Sequence, residues 1–256
     1  VRLLLPFVAA FLAGAVNSVA GGGTLLTFPA LLSAGLSPIA ANATSTVALV
    51  PGSFAAFHGY RDELKGSGRS IALFAAPSLV GGVVGALFVH RVGDRTFARA
   101  VPWLILGATA LFAAQPLVKR WVERSSRDEH GAEAPVRRWP ATLGFQFFVA
   151  VYGGFFGAGM GILMLAALGF LGVRGIHRQN GVKNFAAVCI NGVAAITFAS
   201  LGLVVWTDAA VMAIAAIAGG LGGAGAARRL GEANVRRLVV AIGLVLGAGM
   251  VARGPT

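Results

Sequence analysis

Two small clusters of polar residues interrupt an otherwise apolar chain. The first holds Asn17 and Ser18, the run Gly21-Gly22-Gly23-Thr24, and Thr44 and Ser45. The second holds Gly159-Met160-Gly161, Asn180, Lys183 and Asn184. Helices that begin behind glycine runs offer unpaired N–H groups and a positive dipole end, and Asn, Ser, Thr and Lys add side-chain donors. This inventory suits an oxyanion. In a soluble chain Gly21–Thr24 would suggest a phosphate cradle, but its flanks are apolar from Leu3 to Leu36, a stretch of 34 residues. One bilayer crossing takes roughly 20 residues. The glycines therefore read as a break in a helix at membrane depth, which survives only where protein or a water-filled cavity surrounds the freed backbone.

Other chemistries lack their residues. All nine acidic residues, Asp62, Glu63, Asp94, Glu123, Asp128, Glu129, Glu133, Asp208 and Glu232, fall in expected loops or at helix ends. An intramembrane carboxylate is the usual cation ligand or proton carrier, so a cation substrate is disfavoured, and so is a carboxylate relay. No paired acids, His/Cys metal spacing or Ser-His-Asp arrangement offers catalysis, and neither an enzyme nor a bound cofactor is expected. His58, His90, His130 and His177 sit at segment ends or in loops, and the single Cys189 excludes an internal disulfide.

The elements that position the clusters are membrane helices. Mean hydropathy is +0.80, with 57% hydrophobic and 12% charged residues, which sets the class as an all-α polytopic membrane protein of roughly 8–10 helical segments. The net charge of +12 fits basic loops on one face of a membrane. No basic–aromatic surface segment exists for nucleic acid. Val1-Arg2 and the apolar run behind them resemble a signal peptide, but no polar mature domain follows, so the run reads as the first membrane segment.

An internal repeat relates the clusters. Adding 138 to a first-half number carries Gly21 and Gly23 to Gly159 and Gly161, Asn42 to Asn180, and Gly81-Gly82 to Gly219-Gly220. Arg91, Gly93, Asp94 and Arg99 likewise meet Arg229, Gly231, Glu232 and Arg237. The chain divides into a first repeat, 1–118, a linker, 119–140, and a second repeat, 141–256. Each repeat reads as four pieces: the broken stretch (Leu3–Leu36; Ala141–Gly172) and segments near Ile39–Tyr60, Ile71–His90 and Phe97–Leu117, matched by Arg178–Leu201, Asp208–Ala227 and Val235–Val251. Gly81/Gly85 and Gly219/Gly223 have the spacing of close helix packing in lipid.

Charge sets the parity. If the broken stretches dip in and return, or cross twice, the repeats are inverted and sixteen basic residues share one side against five. A single crossing would make the repeats parallel and split them eleven to ten. The excess of Lys and Arg on cytoplasmic loops prefers inversion, with both termini outside and the linker in the cytoplasm of a cell inner-membrane protein. Interrupted helices at matching positions of inverted repeats point to a substrate site at the bilayer midplane. Half-helices would begin near Thr24 and Ile162. Asn42 and Asn180 also stand where helix N-caps would, and Lys183 where it could snorkel to the interface; neither role excludes substrate contact.

At Asn17-Ser18-Val19-Ala20-Gly21-Gly22-Gly23-Thr24 with Pro29, Leu31, Gly35, Pro38, Ala41, Thr44 and Ser45, the chain resembles the TauE/SafE sulfite exporter family of membrane permeases. Gly153-Gly154-Phe155-Phe156-Gly157-Ala158-Gly159-Met160-Gly161, Asn180, Lys183 and Asn184 extend the resemblance to the second half. It implies transport of sulfite, sulfoacetate or another small sulfur-containing or organic anion. The second half departs from the first-half pattern, with Ala167 in place of a repeated Pro29 and Val182-Lys183 in place of Thr44-Ser45. The expected substrate-binding set is Asn17, Ser18, Gly21, Gly22, Gly23, Thr24, Thr44, Ser45, Gly159, Met160, Gly161, Asn180, Lys183 and Asn184. Met160 in place of Gly22 would make the second tip bulkier. The expected partners are a small anion and the lipid bilayer; a homo-oligomer stays open. The rival reading is a non-transporting membrane assembly or sensor subunit.

Overall fold

The computed structural model describes residues 2–17, 22–59, 64, 68–128, 139–170, 176–223 and 231–253. Its regular structure is helical: α1 Leu4–Asn17, α2 Thr24–Ser33, α3 Pro38–Gly59, α4 Gly68–Val92, α5 Asp94–Asp128, α6 Trp139–Phe155, α7 Met160–Phe170, α8 Ile176–Ser200, α9 Trp206–Ala218 and α10 Glu232–Arg253. A π-helical turn, Gly219–Gly223, continues α9. Ile71–Val92, Asp94–Val118, Arg178–Ser200 and Ala233–Ala252 are long and apolar enough to cross a membrane. Each broken stretch resolves into two helices: α1 and α2 have 14 and 10 residues, α6 and α7 have 17 and 11. At 1.5 Å per residue, α1, α2 and α7 fall well short of a hydrocarbon core of about 30 Å.

α5 runs on to Asp128, so the first part of the expected linker is helix rather than loop. Lys, Arg and Glu are good helix formers, and the polar segment Lys119–Asp128 extends the preceding span without a glycine or proline to stop it. Residues 129–138 of the linker lie outside the described residues.

Small residues bring the helices together. A Cβ at Gly85 would fall on the Val151 carbonyl, and one at Gly154 on the Gly82 carbonyl, so α4 and α6 touch backbone to backbone. Gly14 meets Ala216 and Gly219 meets Phe11, giving α1 and α9 the same intimacy. The pairs α4–α6 and α9–α1 exchange under the 138-residue offset. Where α5 and α10 cross, Gly243 faces Thr109 while Gly247 faces Ile105 and Leu106, so the two helices run in opposite directions. Ser53 and Asn191, equivalent positions of the two halves, meet directly, with the Asn191 amide donating to Ser53 Oγ at 3.2 Å.

Polar contacts gather four helix starts at one end of the bundle. Asp94 Oδ1 accepts from the Ile39 N–H at 3.0 Å, which caps α3 from the first residue of α5. The Val205 N–H donates to Thr44 Oγ1 at 3.0 Å, tying the approach to α9 against α3. Arg2, just before α1, lies 3.6 Å from Asp208 in the first turn of α9.

Candidate functional site

Both breaks rest on one turn of α5. Gly22 takes a left-handed φ of +88° and faces the Phe112 ring, where a Cβ would clash. Gly159, with φ +79°, faces the Ala108 carbonyl and Leu111. Residues 108, 111 and 112 share a helix face, near the middle of the membrane-length stretch Asp94–Val118. Across the breaks, the Phe28 and Phe156 rings meet edge-on with centroids 5.3 Å apart.

The first break is closed by its own polar residues. Asn17 Oδ1 accepts from the Gly23 N–H at 2.8 Å, so the last residue of α1 occupies a donor at the start of α2. Leu25 and Leu26 donate to the Gly22 and Gly23 carbonyls, tightening that start further. The Thr27 hydroxyl donates to the Gly23 carbonyl at 3.2 Å and lies 2.6 Å from Ser45 Oγ, which leaves Ser45 as donor to Thr27. Ser45, Thr27 and Asn17 are thus joined through Gly23. Thr44 points elsewhere, accepting from Val205. Thr24 opens α2 as expected; Ser18 and Gly21 lie outside the described residues.

The second break differs for a stereochemical reason. α7 begins at Met160, two residues ahead of the position that the repeat assigns it, Ile162. A methionine cannot readily adopt the left-handed conformation that Gly22 takes, so that conformation moves to Gly157 and Gly159 and Met160 enters the helix. Its side chain is buried, with sulfur over Gly153 and beside Ile190. The extra bulk thus packs in the core behind the tip, and the tip itself is Gly157-Ala158-Gly159. The Tyr152 hydroxyl donates to the Ala158 carbonyl at 2.5 Å and holds that tip.

Asn42 is not an N-cap: α3 begins at Pro38, and Ser37 Oγ accepts from the Ala40 N–H at 3.4 Å. Instead, Asn42 Nδ2 donates to the Phe155 carbonyl at 2.9 Å, satisfying the C-terminus of α6 from the other repeat. Asn180 is likewise inside its helix, α8, and its Oδ1 accepts from Lys183 Nζ at 3.0 Å. Lys183 runs its stem past Gly161, with Cδ 3.5 Å from where a Cβ there would sit. Asn184 is half-buried on the same helix. Replacing Asn42 by leucine would leave the part-buried Phe155 carbonyl without this donor, costing about 1 kcal/mol or more. The expected result is a lower Tm in detergent, with Ser53→Ala as a milder control.

Sequence reasoning missed Thr27, Tyr152 and the α5 turn that supports both breaks. Thr27 carried a signal, since it stands four residues after Gly23, within reach of its carbonyl. The role of Asn42 rests on a partner 113 residues away and had none. Asp208 stands in the first turn of α9 as expected, yet it is buried.

Membrane-length helices together with two shorter helix pairs, whose breaks meet one turn of α5, make this an all-helical polytopic membrane protein. The chain belongs to the sulfite exporter TauE/SafE family, whose model matches residues 6–250. It is 26% identical over 250 residues to the probable membrane transporter protein ORF9 of Sinorhizobium sp, covering 98% of this chain and 92% of that protein. It is 29% identical over 249 residues to the probable membrane transporter protein YfcA of Escherichia coli K12, covering 96% and 88%. A probable membrane transporter protein of Haemophilus influenzae is 28% identical over 259 residues, covering 97% and 94%. No solved structure matches the chain.

Proposed function

We propose that the protein carries a small anion of the sulfite or sulfonate type across the cell inner membrane, binding it between two inverted repeats. The observation that carries this reading is the meeting of both breaks on Ala108–Phe112 of α5, with Lys183 beside Gly161. Two helix starts and one ammonium supply positive potential where a bilayer otherwise offers none. Asn17, Gly22, Gly23, Thr24 and Ser45 form one wall of the proposed site. Gly159, Gly161, Asn180, Lys183 and Asn184 form the other, with Met160 contributing backbone and Thr44 steadying α3 behind them.

Inversion draws support from the bundle end where Arg2, Ile39, Asp94 and Asp208 gather. α1 and α3 both start there, so α1 and α2 together enter and return, and their lengths suit a re-entrant pair. The opposed directions of α5 and α10 favour the same arrangement. With basic loops inside, that end faces outward, both termini lie outside, and the linker is cytoplasmic.

Anion selectivity is testable by thermal shift on the purified protein. Ligand at one hundred times Kd adds about 2.7 kcal/mol, which raises Tm by roughly 5–10 °C for a chain of this size. Sulfite or sulfoacetate is expected to give that rise, while matched chloride and changes of cation give none. Equal response to all salts, or none to any oxyanion, would remove the anion assignment.

A further inference from the structure

α5 and α10 come from the two halves of the chain, and their packing gathers basic residues at the end of the bundle where α5 starts. Gly243 faces Thr109, and Gly247 faces Ile105 and Leu106. Continued in the same register toward the start of α5, this antiparallel contact sets Arg253, the last residue of α10, level with Arg99. Arg95 stands one turn before Arg99 on the same face of α5, and both are exposed. The opposite face, with Phe97, Val101 and Ile105, is buried. Among the described residues neither Arg95 nor Arg99 forms an ion pair. The acid at this turn, Asp94, gives one oxygen to the Ile39 N–H. Like charges from the two halves therefore meet with a single carboxylate to offset them.

The depth of this patch says what can reach it. Asp94–Val118 has 25 residues, about 37 Å at 1.5 Å each, against a hydrocarbon core of about 30 Å. Arg95 and Arg99, in its first two turns, therefore extend into the headgroup layer. Trp103, one turn deeper on the same stripe, is 67% exposed, so the stripe faces lipid and carries an interfacial aromatic below its arginines. We propose that this end of the α5–α10 pair binds an anionic phospholipid, with its phosphate on Arg95 and Arg99 and its glycerol and upper acyl chain against the Trp103 ring. The planar guanidinium fork matches phosphate oxygens, and basic pockets between membrane helices suit such headgroups. A zwitterionic lipid brings no net charge, whereas an anionic one offsets the repulsion among Arg95, Arg99 and Arg253. The bound lipid thus holds the two halves together at one end of α5, the helix whose middle carries both breaks. Binding of the lipid does not depend on which anion is transported.

The test titrates the purified protein in detergent with phosphatidylglycerol or with phosphatidylcholine of the same acyl chains, reading bound lipid by native mass spectrometry and stability by Tm. Phosphatidylglycerol is expected to bind about tenfold more tightly, the worth of one charge-assisted hydrogen bond. At saturation it should raise Tm by roughly 5 °C more than phosphatidylcholine does. Arg95→Gln combined with Arg99→Gln should lose both preferences and keep its Tm in phosphatidylcholine. Arg99→Gln alone, a milder change that guards against poor folding of the double variant, should lose most of the preference. Equal binding of the two lipids by the wild type, or a preference that Arg99→Gln leaves intact, overturns the site. A Tm rise of the same size from inorganic phosphate, lost in Arg99→Gln, would make it a site for soluble anions and overturn the lipid assignment. Absence of sulfite flux in vesicles would count against the transported anion and leave the lipid result standing.

Discussion

Lys183→Ala is expected to cut sulfite flux at least tenfold while leaving the protein folded. A hydrogen bond to a charged group contributes about 1.5–3 kcal/mol, and 1.4 kcal/mol is about a factor of ten in affinity. Lys183 lies inside the membrane-length stretch Arg178–Ser200, where a lysine is costly unless a partner or an anion meets it. Within the protein, Nζ reaches Asn180 Oδ1, and the stem passes Gly161 at the start of α7. Lys183→Arg should keep part of the flux, since it keeps the charge but not the compact ammonium. Flux by Lys183→Ala equal to the wild type would take Lys183 out of the mechanism.

Gly85→Val is expected to prevent folding outright or cost about 3 kcal/mol or more. Its Cβ would occupy the position of the Val151 carbonyl and crowd the Phe155 N–H. Neither is a side chain that can turn away, so the α4–α6 contact must open along its length. The damage would reach the site, because Phe155 is the residue whose carbonyl Asn42 caps. Gly107→Val is the control: nothing lies within 4 Å of a Cβ there, on a helix face exposed from the bundle. Detergent-stable yield and Tm should fall sharply for Gly85→Val and stay near the wild type for Gly107→Val.

What the sequence made legible follows from local pattern. Apolar length set the membrane class, and the glycine runs marked helix breaks that stand at Gly22-Gly23 and Gly157–Gly159. The close-packing role of Gly81, Gly85 and Gly219 was readable from spacing, since small residues let backbones approach. Less legible were features fixed by partners far along the chain. Asn42 looked like a cap for its own helix and instead caps α6, 113 residues away. Thr44 looked like its neighbour Ser45 but turns to Val205, 161 residues away. Asp208 looked like an ordinary polar helix end, because burial by α1 and α3 leaves no trace in its neighbours in sequence. The shifted start of α7 could have been foreseen, for Met160 stands where the first repeat needs a left-handed glycine.

The asymmetry between the halves gives the proposed site its character. Ser45 and Thr27 in the first half become Lys183 and Leu165 in the second. One break is therefore closed by neutral hydroxyls, while a cation stands beside the other. An anion entering from the end where α1 starts would meet dipole and hydroxyls first and the ammonium beyond them.

The most direct measurement is sulfite movement into sealed vesicles holding the purified protein, with protein-free vesicles and Lys183→Ala beside it. The account predicts flux well above the empty vesicles for the wild type and at least a tenfold drop in the variant. Sulfite and sulfonate fluxes no greater than those of empty vesicles, from protein that is folded and inserted, would contradict it.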